Sequence, residues 1–246
     1  MPSLRATPER PAIYATGRGT GGIGDWVTLL HPPYTLWHLA YVAIGAAKVP
    51  GLVLWRLAGT LVAFFLAVGI GAHALDELNG RPLRTGIGAH GLIAAAVIGT
   101  GGAAAMGIAY GGLRLLPAVV LGVLLVCAYN LEWFGGVLHN DVGFAASWGA
   151  FPVLVGAYAQ HWTLTPAAGC AAVAALLLSL GQRSLSTPAR LLRRRVDLVA
   201  GTLTFHDGSV QALDRQDLLK PIERTLQALA AAVVLLAVAL VLARSG

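Results

Sequence analysis

The sequence predicts an all-α polytopic membrane protein, a bundle of about seven transmembrane helices with a cytoplasmic cap that contains a short hairpin. Hydrophobic residues make up 57% of the 246 residues and charged residues only 11%, whereas a soluble domain carries about 25% charged residues. Uncharged stretches recur along the chain, and a crossing needs about 20 mostly apolar residues. This composition excludes a soluble enzyme, a disordered chain and a coiled coil. Cys127 and Cys170 lie in apolar runs, which argues against a disulfide scaffold.

The predicted elements follow the uncharged stretches in chain order. Residues 1–30 form a polar cytoplasmic tail, residues 31–182 a six-helix membrane core, residues 183–224 a cytoplasmic cap, and residues 225–246 the last helix. Spans of the core begin near Tyr34, Leu57, Thr85, Leu115 and Val142. The stretch from Val142 to Gln182 is uncharged over 41 residues, which is too long for one crossing. The polar segment from Gln160 to Thr163, followed by Pro166, divides it into two helices.

Basic residues are distributed unequally between the two ends of these spans. With the N-terminus inside, thirteen of the 17 basic residues fall on the inner side, and four fall on the outer side: Lys48, Arg56, Arg114 and Arg244. All eleven carboxylates fall on the inner side. The positive-inside bias therefore predicts a cytoplasmic N-terminus, in an integral protein of a bacterial inner membrane. The net charge of +6 requires no nucleic-acid partner, because membrane lipids of the anionic leaflet attract the same surface.

The first inner loop carries a stripe of ionisable groups at the membrane end of the second helix. His73, Asp76, Glu77 and Arg81 lie at i, i+3, i+4 and i+8, so they share one helix face. Charged groups at this depth are costly and usually face a cavity. The alternative is that Asp76 and Glu77 are interfacial helix-end groups paired with Arg81 and Arg84.

The second inner loop, residues 129–141, has no Lys or Arg but offers oxygen and imidazole ligands. These ligands are Asn130, Glu132, His139, Asn140 and Asp141. Trp133 and Phe134 form either an interfacial aromatic anchor or the wall of a pocket for an apolar or carbocationic group.

The third inner segment, residues 183–224, is the long polar part of the chain. Pro188–Val196 predicts a short basic amphipathic helix, which either lies on the anionic leaflet or holds a phosphate through its arginines. Alternating apolar residues flank Asp207 and Gly208, which predicts a hairpin between about Leu198 and Leu213.

Topology brings the three inner segments to one face of the bundle. Carboxylates and amides there can hold Mg²⁺, which usually also contacts substrate phosphates. We therefore expect Asp76 and Glu77 to face an internal cavity that opens to the cytoplasm, within reach of Glu132 or Asp141. Gly- and Ala-rich helices such as Gly88–Gly107 leave room for a long lipid tail in the bundle.

Two segments resemble the UbiA-type superfamily of membrane-embedded prenyltransferases. The segment ALDELNGRPLRTGI resembles the first aspartate motif of that family, and CAYNLEWFGGVLHNDVGFAASWGAFPVLVGAYA resembles its next cytoplasmic segment. The resemblance covers about residues 30–180 of this chain. The second aspartate motif of the family is not matched, because the corresponding loop has Asp214 and Asp217 at a different spacing.

The resemblance implies transfer of a prenyl group from a polyprenyl diphosphate to a lipid or small-molecule acceptor, with Mg²⁺ as the cofactor. It implies that Asp76, Glu77, Tyr129 and Glu132 are catalytic and that Asp76, Glu77 and Asp141 hold the metal. The implied substrate-binding residues are His73, Asn79, Arg81, Arg84, Asn130, Trp133, His139, Arg193 and Arg194. Two other functions remain open: a related membrane terpene cyclase, and a non-catalytic lipid-binding or scaffolding membrane protein.

Overall fold

The structure, a computed structural model, describes residues 19–245 and is 76% helical with one small two-stranded sheet. Residues 1–18 of the predicted tail lie outside the described residues, together with three of the arginines counted for the predicted orientation. The tail prediction can therefore be compared only from Gly19 onward. There the chain is folded, since α1 (Ile23–Leu29) follows and the Asp25 side chain is buried.

After α1, the first half of the chain contains the following helical segments. They are α2 (Pro32–Ala46), α3 (Leu54–Phe64), a π-helical segment (Phe65–Ala72), α4 (His73–Leu78), α5 (Ala89–Gly111), a 3-10 turn (Gly112–Arg114) and α6 (Leu116–Asn130). The second half contains α7 (Trp133–Gly136), α8 (Asp141–Ala145), a second π-helical segment (Ala146–Ala150), α9 (Phe151–His161) and α10 (Pro166–Arg194). Strands β1 (Gly201–Thr204) and β2 (Val210–Leu213) then lead to α11 (Arg215–Ser245).

Five helical rods among the described residues are long and apolar enough to cross a membrane. They are Leu54–Leu78, Ala89–Arg114, Asp141–His161, Pro166–Arg194 and Arg215–Arg244. The helices α2 and α6 stand where two further spans were predicted, but each has only 15 residues. The predicted division of residues 142–182 is confirmed, because α9 ends at His161 and α10 begins at Pro166.

The core of the bundle forms around α2, which packs against α9 and α11. A Cβ atom on Gly45 would lie 2.0 Å from the Val153 carbonyl oxygen, and one on Gly156 would lie 2.2 Å from the Val42 carbonyl oxygen. The two helix backbones therefore approach as closely as glycine permits, which is how membrane helices gain packing energy in the absence of a hydrophobic drive.

The hairpin prediction is confirmed, whereas the prediction of a separate basic helix is wrong. Strands β1 and β2 pair antiparallel, with Gly201 opposite Leu213, and Gly208 adopts the positive φ of 83° that its turn needs. The segment 188–194 instead continues α10, with Pro188 inside the helix. Proline removes one backbone donor there, but α10 packs against α8, the second π-helical segment and α11, and this packing holds the helix together.

Candidate functional site

A polar cavity of about 560 Å³ opens at one end of the bundle, which we call the near face. The C-terminal ends of α4, α6 and α10 meet at this face with the part of α11 from Glu223 to Ala230. The predicted site residues that line the polar cavity are His73, Asp76, Asn79, Tyr129, Asn130, Glu132, His139, Arg193 and Arg194. The topology of the three inner segments therefore does bring most of the predicted residues together.

The neighbouring carboxylates Asp76 and Glu77 have different environments. Asp76 lines the polar cavity, as predicted. Glu77 is fully buried and accepts hydrogen bonds from the backbone N–H groups of Leu83 (2.9 Å) and Thr85 (2.8 Å) and from the Thr85 hydroxyl (2.8 Å). Both oxygens accept from donors of the following loop and Glu77 is not among the lining residues, so the prediction that Glu77 faces the cavity is wrong, whereas its role as a metal ligand stays a prediction. A helix turns by about 100° per residue, which is why adjacent residues face different surroundings.

The arginines of the same loop also stay outside the cavity lining. Arg81 donates from Nη1 to the carbonyl oxygens of Ile87 (2.7 Å) and Thr85 (3.3 Å), so its guanidinium holds the loop instead of a phosphate. Arg84 is likewise absent from the lining residues. Both residues have a φ of 53°, a left-handed conformation that turns their side chains with the loop. The structure therefore does not bring Arg81 and Arg84 to the cavity lining, and their implied roles in substrate binding stay predictions.

The second inner loop contributes a stacked pair of rings to the polar cavity. The Tyr129 and His139 rings lie 4.7 Å apart between centroids, and His139 Nδ1 donates to the Tyr129 carbonyl oxygen at 3.2 Å. The Glu132 carboxylate lies 3.9 Å from the same imidazole nitrogen. Asn79 donates to the Asn130 carbonyl oxygen at 3.0 Å, which fixes the end of α4 against the end of α6.

Trp133, Phe134 and Asp141 do not take their predicted places. Trp133 is 41% exposed and Phe134 82% exposed, and neither lines the cavity. Glu132 and Phe134 adopt positive φ values of 52° and 57°, so this short turn reverses the chain and directs the two rings outward. Exposure of both rings fits the alternative of an interfacial anchor. Asp141 pairs with Arg183 at 2.8 Å and is not among the lining residues, so its role as a metal ligand stays a prediction.

The basic wall of the cavity comes from one face of α10. Its arginines are Arg183, Arg190, Arg193 and Arg194, with Arg195 just beyond the helix. Ser186 lies between the first two on the same wall. Arg193 and Arg194 were predicted as substrate-binding residues and Arg190 and Arg195 as further phosphate ligands in the alternative for Pro188–Val196, whereas Arg183 was not predicted. The spacing i, i+3, i+7, i+10 from Arg183 is a helical stripe that could have been found in the sequence, but Pro188 suggested a break in the helix.

The arginine side chains are held by contacts within the site. Arg183 donates from Nη1 to the Tyr129 hydroxyl at 3.1 Å, and its guanidinium lies 5.1 Å from the Phe144 ring centroid. Arg193 donates from Nε to Glu223 of α11 at 2.8 Å. These contacts orient two guanidinium groups before any ligand arrives. Prior orientation lowers the entropic cost of binding.

Two histidines that the sequence did not single out add to the lining. The His31 and His73 rings lie 4.5 Å apart between centroids, and His38 donates from Nδ1 to the Trp148 carbonyl oxygen at 2.8 Å. Burial, followed by the charges of His73, Arg194 and Arg190, holds the pKa of His31 well below its usual value. His31 is therefore neutral at pH 7, and the arginines make the surrounding field positive.

Each π-helical segment supplies one residue to the boundary between two cavities. An apolar cavity of about 190 Å³ lies deeper in the bundle, among α3, α5, α6 and α9. Val68 and Trp148 line both this apolar cavity and the polar cavity. Short π-helical turns inside α-helices are frequent at functional sites. The arrangement places a charged compartment directly next to a hydrocarbon-like one.

The metal-binding capacity of the site is limited to a partial ligand set. The described residues contain no group of three His, Cys, Asp or Glu side chains that could hold a metal ion. The carboxylates that line the polar cavity are Asp76, Glu132 and Glu223, and Glu223 is paired with Arg193. Mg²⁺ usually takes one or two protein carboxylates together with water and other oxygen ligands, so Asp76 and Glu132 supply a partial ligand set at most.

Comparisons with protein-family models, with curated proteins and with solved structures find no match to this chain. Any functional conclusion therefore depends on the geometry of the two adjoining cavities.

Proposed function

We propose that this chain is a membrane-embedded enzyme of the prenyltransferase type that acts on a polyprenyl diphosphate at the near face. One observation carries the proposal: an arginine-walled cavity, which also contains Asp76, Glu132 and the Arg193-paired Glu223, adjoins an apolar cavity through Val68 and Trp148. A prenyl diphosphate has the matching division between a dianionic or trianionic head and a hydrocarbon tail. The resemblance to UbiA-type prenyltransferases around Asp76 supports the same conclusion.

The residues of the polar cavity would act mainly by electrostatics. Arg183, Arg190 and Arg194 would bind the phosphate oxygens, for which the planar guanidinium is well suited. Charge then builds up on the leaving diphosphate, and positioned cations stabilise that charge. Asp76 and Glu132 would hold Mg²⁺, which when bound supplies further neutralisation of the leaving group.

The aromatic residues at the boundary would face the other product of bond cleavage. Trp148 lies between the two cavities, and the Tyr129 ring is 5.6 Å from it between centroids. The faces of aromatic rings attract cations. These rings therefore favour an allylic cation between the diphosphate and the hydrocarbon tail. We further propose that the near face is cytoplasmic, since most basic residues lie on that side.

The test is Mg²⁺-dependent release of diphosphate from geranylgeranyl diphosphate by the full chain in lipid nanodiscs. Asp76→Asn should lower the rate by about 100-fold or more, as expected when a major electrostatic contact to a transition state is lost. The matched control is Asp197→Asn, an exposed carboxylate outside the cavity lining. For the arginines, Arg190→Gln should raise the concentration of substrate that gives half-maximal turnover. The matched control is Arg224→Gln, because Arg224 is exposed and outside the lining, and it should leave that concentration unchanged.

A second candidate function is binding of a prenyl diphosphate without turnover. The absence of a three-residue metal group among the described residues favours it. Binding of the substrate without release of diphosphate, with a bacterial lipid extract present as the source of acceptor and with binding weakened in Arg190→Gln, would support this candidate and refute catalysis. If diphosphate is released, the mass of the organic product distinguishes a transferase, which needs an acceptor, from a cyclase.

A further inference from the structure

Two arginines converge on a single ring at the far face, the end of the bundle opposite the polar cavity. Arg56 stands in the first turn of α3, and Arg114 ends the 3-10 turn after α5. Their guanidinium carbons lie 5.3 Å and 5.7 Å from the centroid of the Trp162 ring. The Arg56 guanidinium also lies 5.5 Å from the Trp55 ring and 5.9 Å from the Tyr110 ring. We call these two arginines and three aromatic residues the far-face cluster.

The far-face cluster holds positive charge with no acidic counterpart. The described connections at this end, residues 47–53, 112–115 and 162–165, contain no Asp or Glu. The described carboxylates instead belong to the near-face segments, from Asp25 and the end of α4 to the start of α11. Two like charges brought to one ring repel each other, and contacts with aromatic faces do not cancel charge. An anion bound by the two guanidinium groups would neutralise this charge.

Hydrogen-bond donors in the cluster are also left over. Arg56 donates from Nη1 to the Gln160 carbonyl oxygen, but its buried Nε has no acceptor among the described residues. Gln160 is fully buried, and its side-chain oxygen accepts from the Val53 backbone N–H at 2.9 Å. Its amide nitrogen has no acceptor within the described part of the chain either. Buried donors of this kind are normally hydrogen-bonded. Arg56 Nε and Gln160 Nε2 therefore indicate a ligand that supplies acceptor oxygens.

The surroundings indicate a lipid and not a water-soluble anion. Trp and Tyr concentrate where the membrane meets water, at the level of the lipid headgroups. Trp55, Arg56 and Tyr110 also line the rim of the apolar cavity, next to which a hydrocarbon chain finds suitable contacts. We propose that Arg56 and Arg114 bind the phosphate of an anionic phospholipid, such as phosphatidylglycerol, in the leaflet at the far face. This proposal does not depend on the proposed prenyl chemistry.

The experiment measures lipid binding to the full chain in a neutral detergent, by native mass spectrometry with phosphatidylglycerol or phosphatidylcholine added. The wild type should bind phosphatidylglycerol more tightly than phosphatidylcholine. Arg114→Gln should weaken the binding of phosphatidylglycerol about tenfold, the change expected from losing a hydrogen bond to a charged group. Arg114 is exposed and its described side-chain contact is with the Trp162 ring, so Arg114→Gln should disturb the fold less than replacement of the part-buried Arg56. Arg56→Gln should have at least the same effect.

The matched control is Arg244→Gln, which removes an exposed cation from the far-face end of α11 outside the cluster. It should leave the preference for phosphatidylglycerol unchanged. Equal binding of the two lipids by the wild type would overturn the proposal, and so would an equal loss in the Arg244→Gln control. Competition by inorganic phosphate at the same concentration as the lipid would overturn the assignment to a lipid headgroup.

Discussion

Glu77 is a structural residue, and its replacement should destabilise the protein before it affects any chemistry. Its carboxylate accepts three hydrogen bonds of 2.8–2.9 Å from Leu83 and Thr85, all of them buried. Glu77→Ala leaves two backbone N–H groups without acceptors. Each unsatisfied buried donor costs about 1–3 kcal/mol, so the free energy of unfolding should fall by about 4 kcal/mol. For a chain of this size that corresponds to a decrease of roughly 10 °C in the unfolding temperature.

The assay is thermal unfolding of the purified chain in detergent, followed by circular dichroism, with Asp76→Ala as the neighbouring control. Asp76 lines the cavity, so its replacement should change the unfolding temperature by much less than that of Glu77. The unfolding temperature of Glu77→Gln should lie between those of Glu77→Ala and Asp76→Ala, because the amide oxygen of Gln can still accept hydrogen bonds from Thr85. An unfolding temperature of Glu77→Ala equal to that of the wild type, together with lost turnover of prenyl diphosphate, would refute the reasoning and return Glu77 to the active site.

Three further predictions concern other contacts. Burial tends to raise the pKa of Asp25, but the backbone N–H groups of Gly21, Gly86, Gly19 and Thr20 outweigh it and hold the pKa below its usual value. The segment before α1 should therefore stay docked above about pH 4. Protection from hydrogen exchange at Gly21 and Gly86, measured relative to the intrinsic rate at each pH, should fall as the pH drops through the lowered pKa. Asp25→Asn should show low protection at every pH. Gly45→Ala should destabilise the contact between α2 and α9 by about 1–3 kcal/mol, as measured by thermal unfolding, whereas Gly101→Ala, with open space around its Cβ, should not. Asp141→Asn should alter the free energy of unfolding by less than about 1 kcal/mol, since the Asp141 side chain is 67% exposed and exposed ion pairs contribute little. It should leave the Mg²⁺ dependence of turnover unchanged, and a large shift in that dependence would identify Asp141 as a ligand.

Most of the architecture was predictable because it follows from hydropathy and from short-range turn chemistry. A low charge content and long uncharged runs determine which segments form the apolar helices. The polar break after Gln160 and the Asp207-Gly208 turn act within a few residues of where they stand. The collection of acidic residues on one side of the bundle is likewise a property of the order of spans along the chain.

Which of those near-face residues line the cavity was decided by the tertiary structure. Asp76 and Glu77 are adjacent in sequence, yet Asp76 lines the cavity whereas Glu77 accepts hydrogen bonds from the backbone N–H groups of the following loop. Arg190 shares one wall with Arg183 because packing carried α10 through Pro188, and Trp133 lies outside the lining because a left-handed residue precedes it. Hydropathy determines which segments form the long apolar helices. The direction of a side chain depends instead on helix phase, on loop hydrogen bonds and on the packing of helices distant in sequence. Those interactions exist only once the chain has folded.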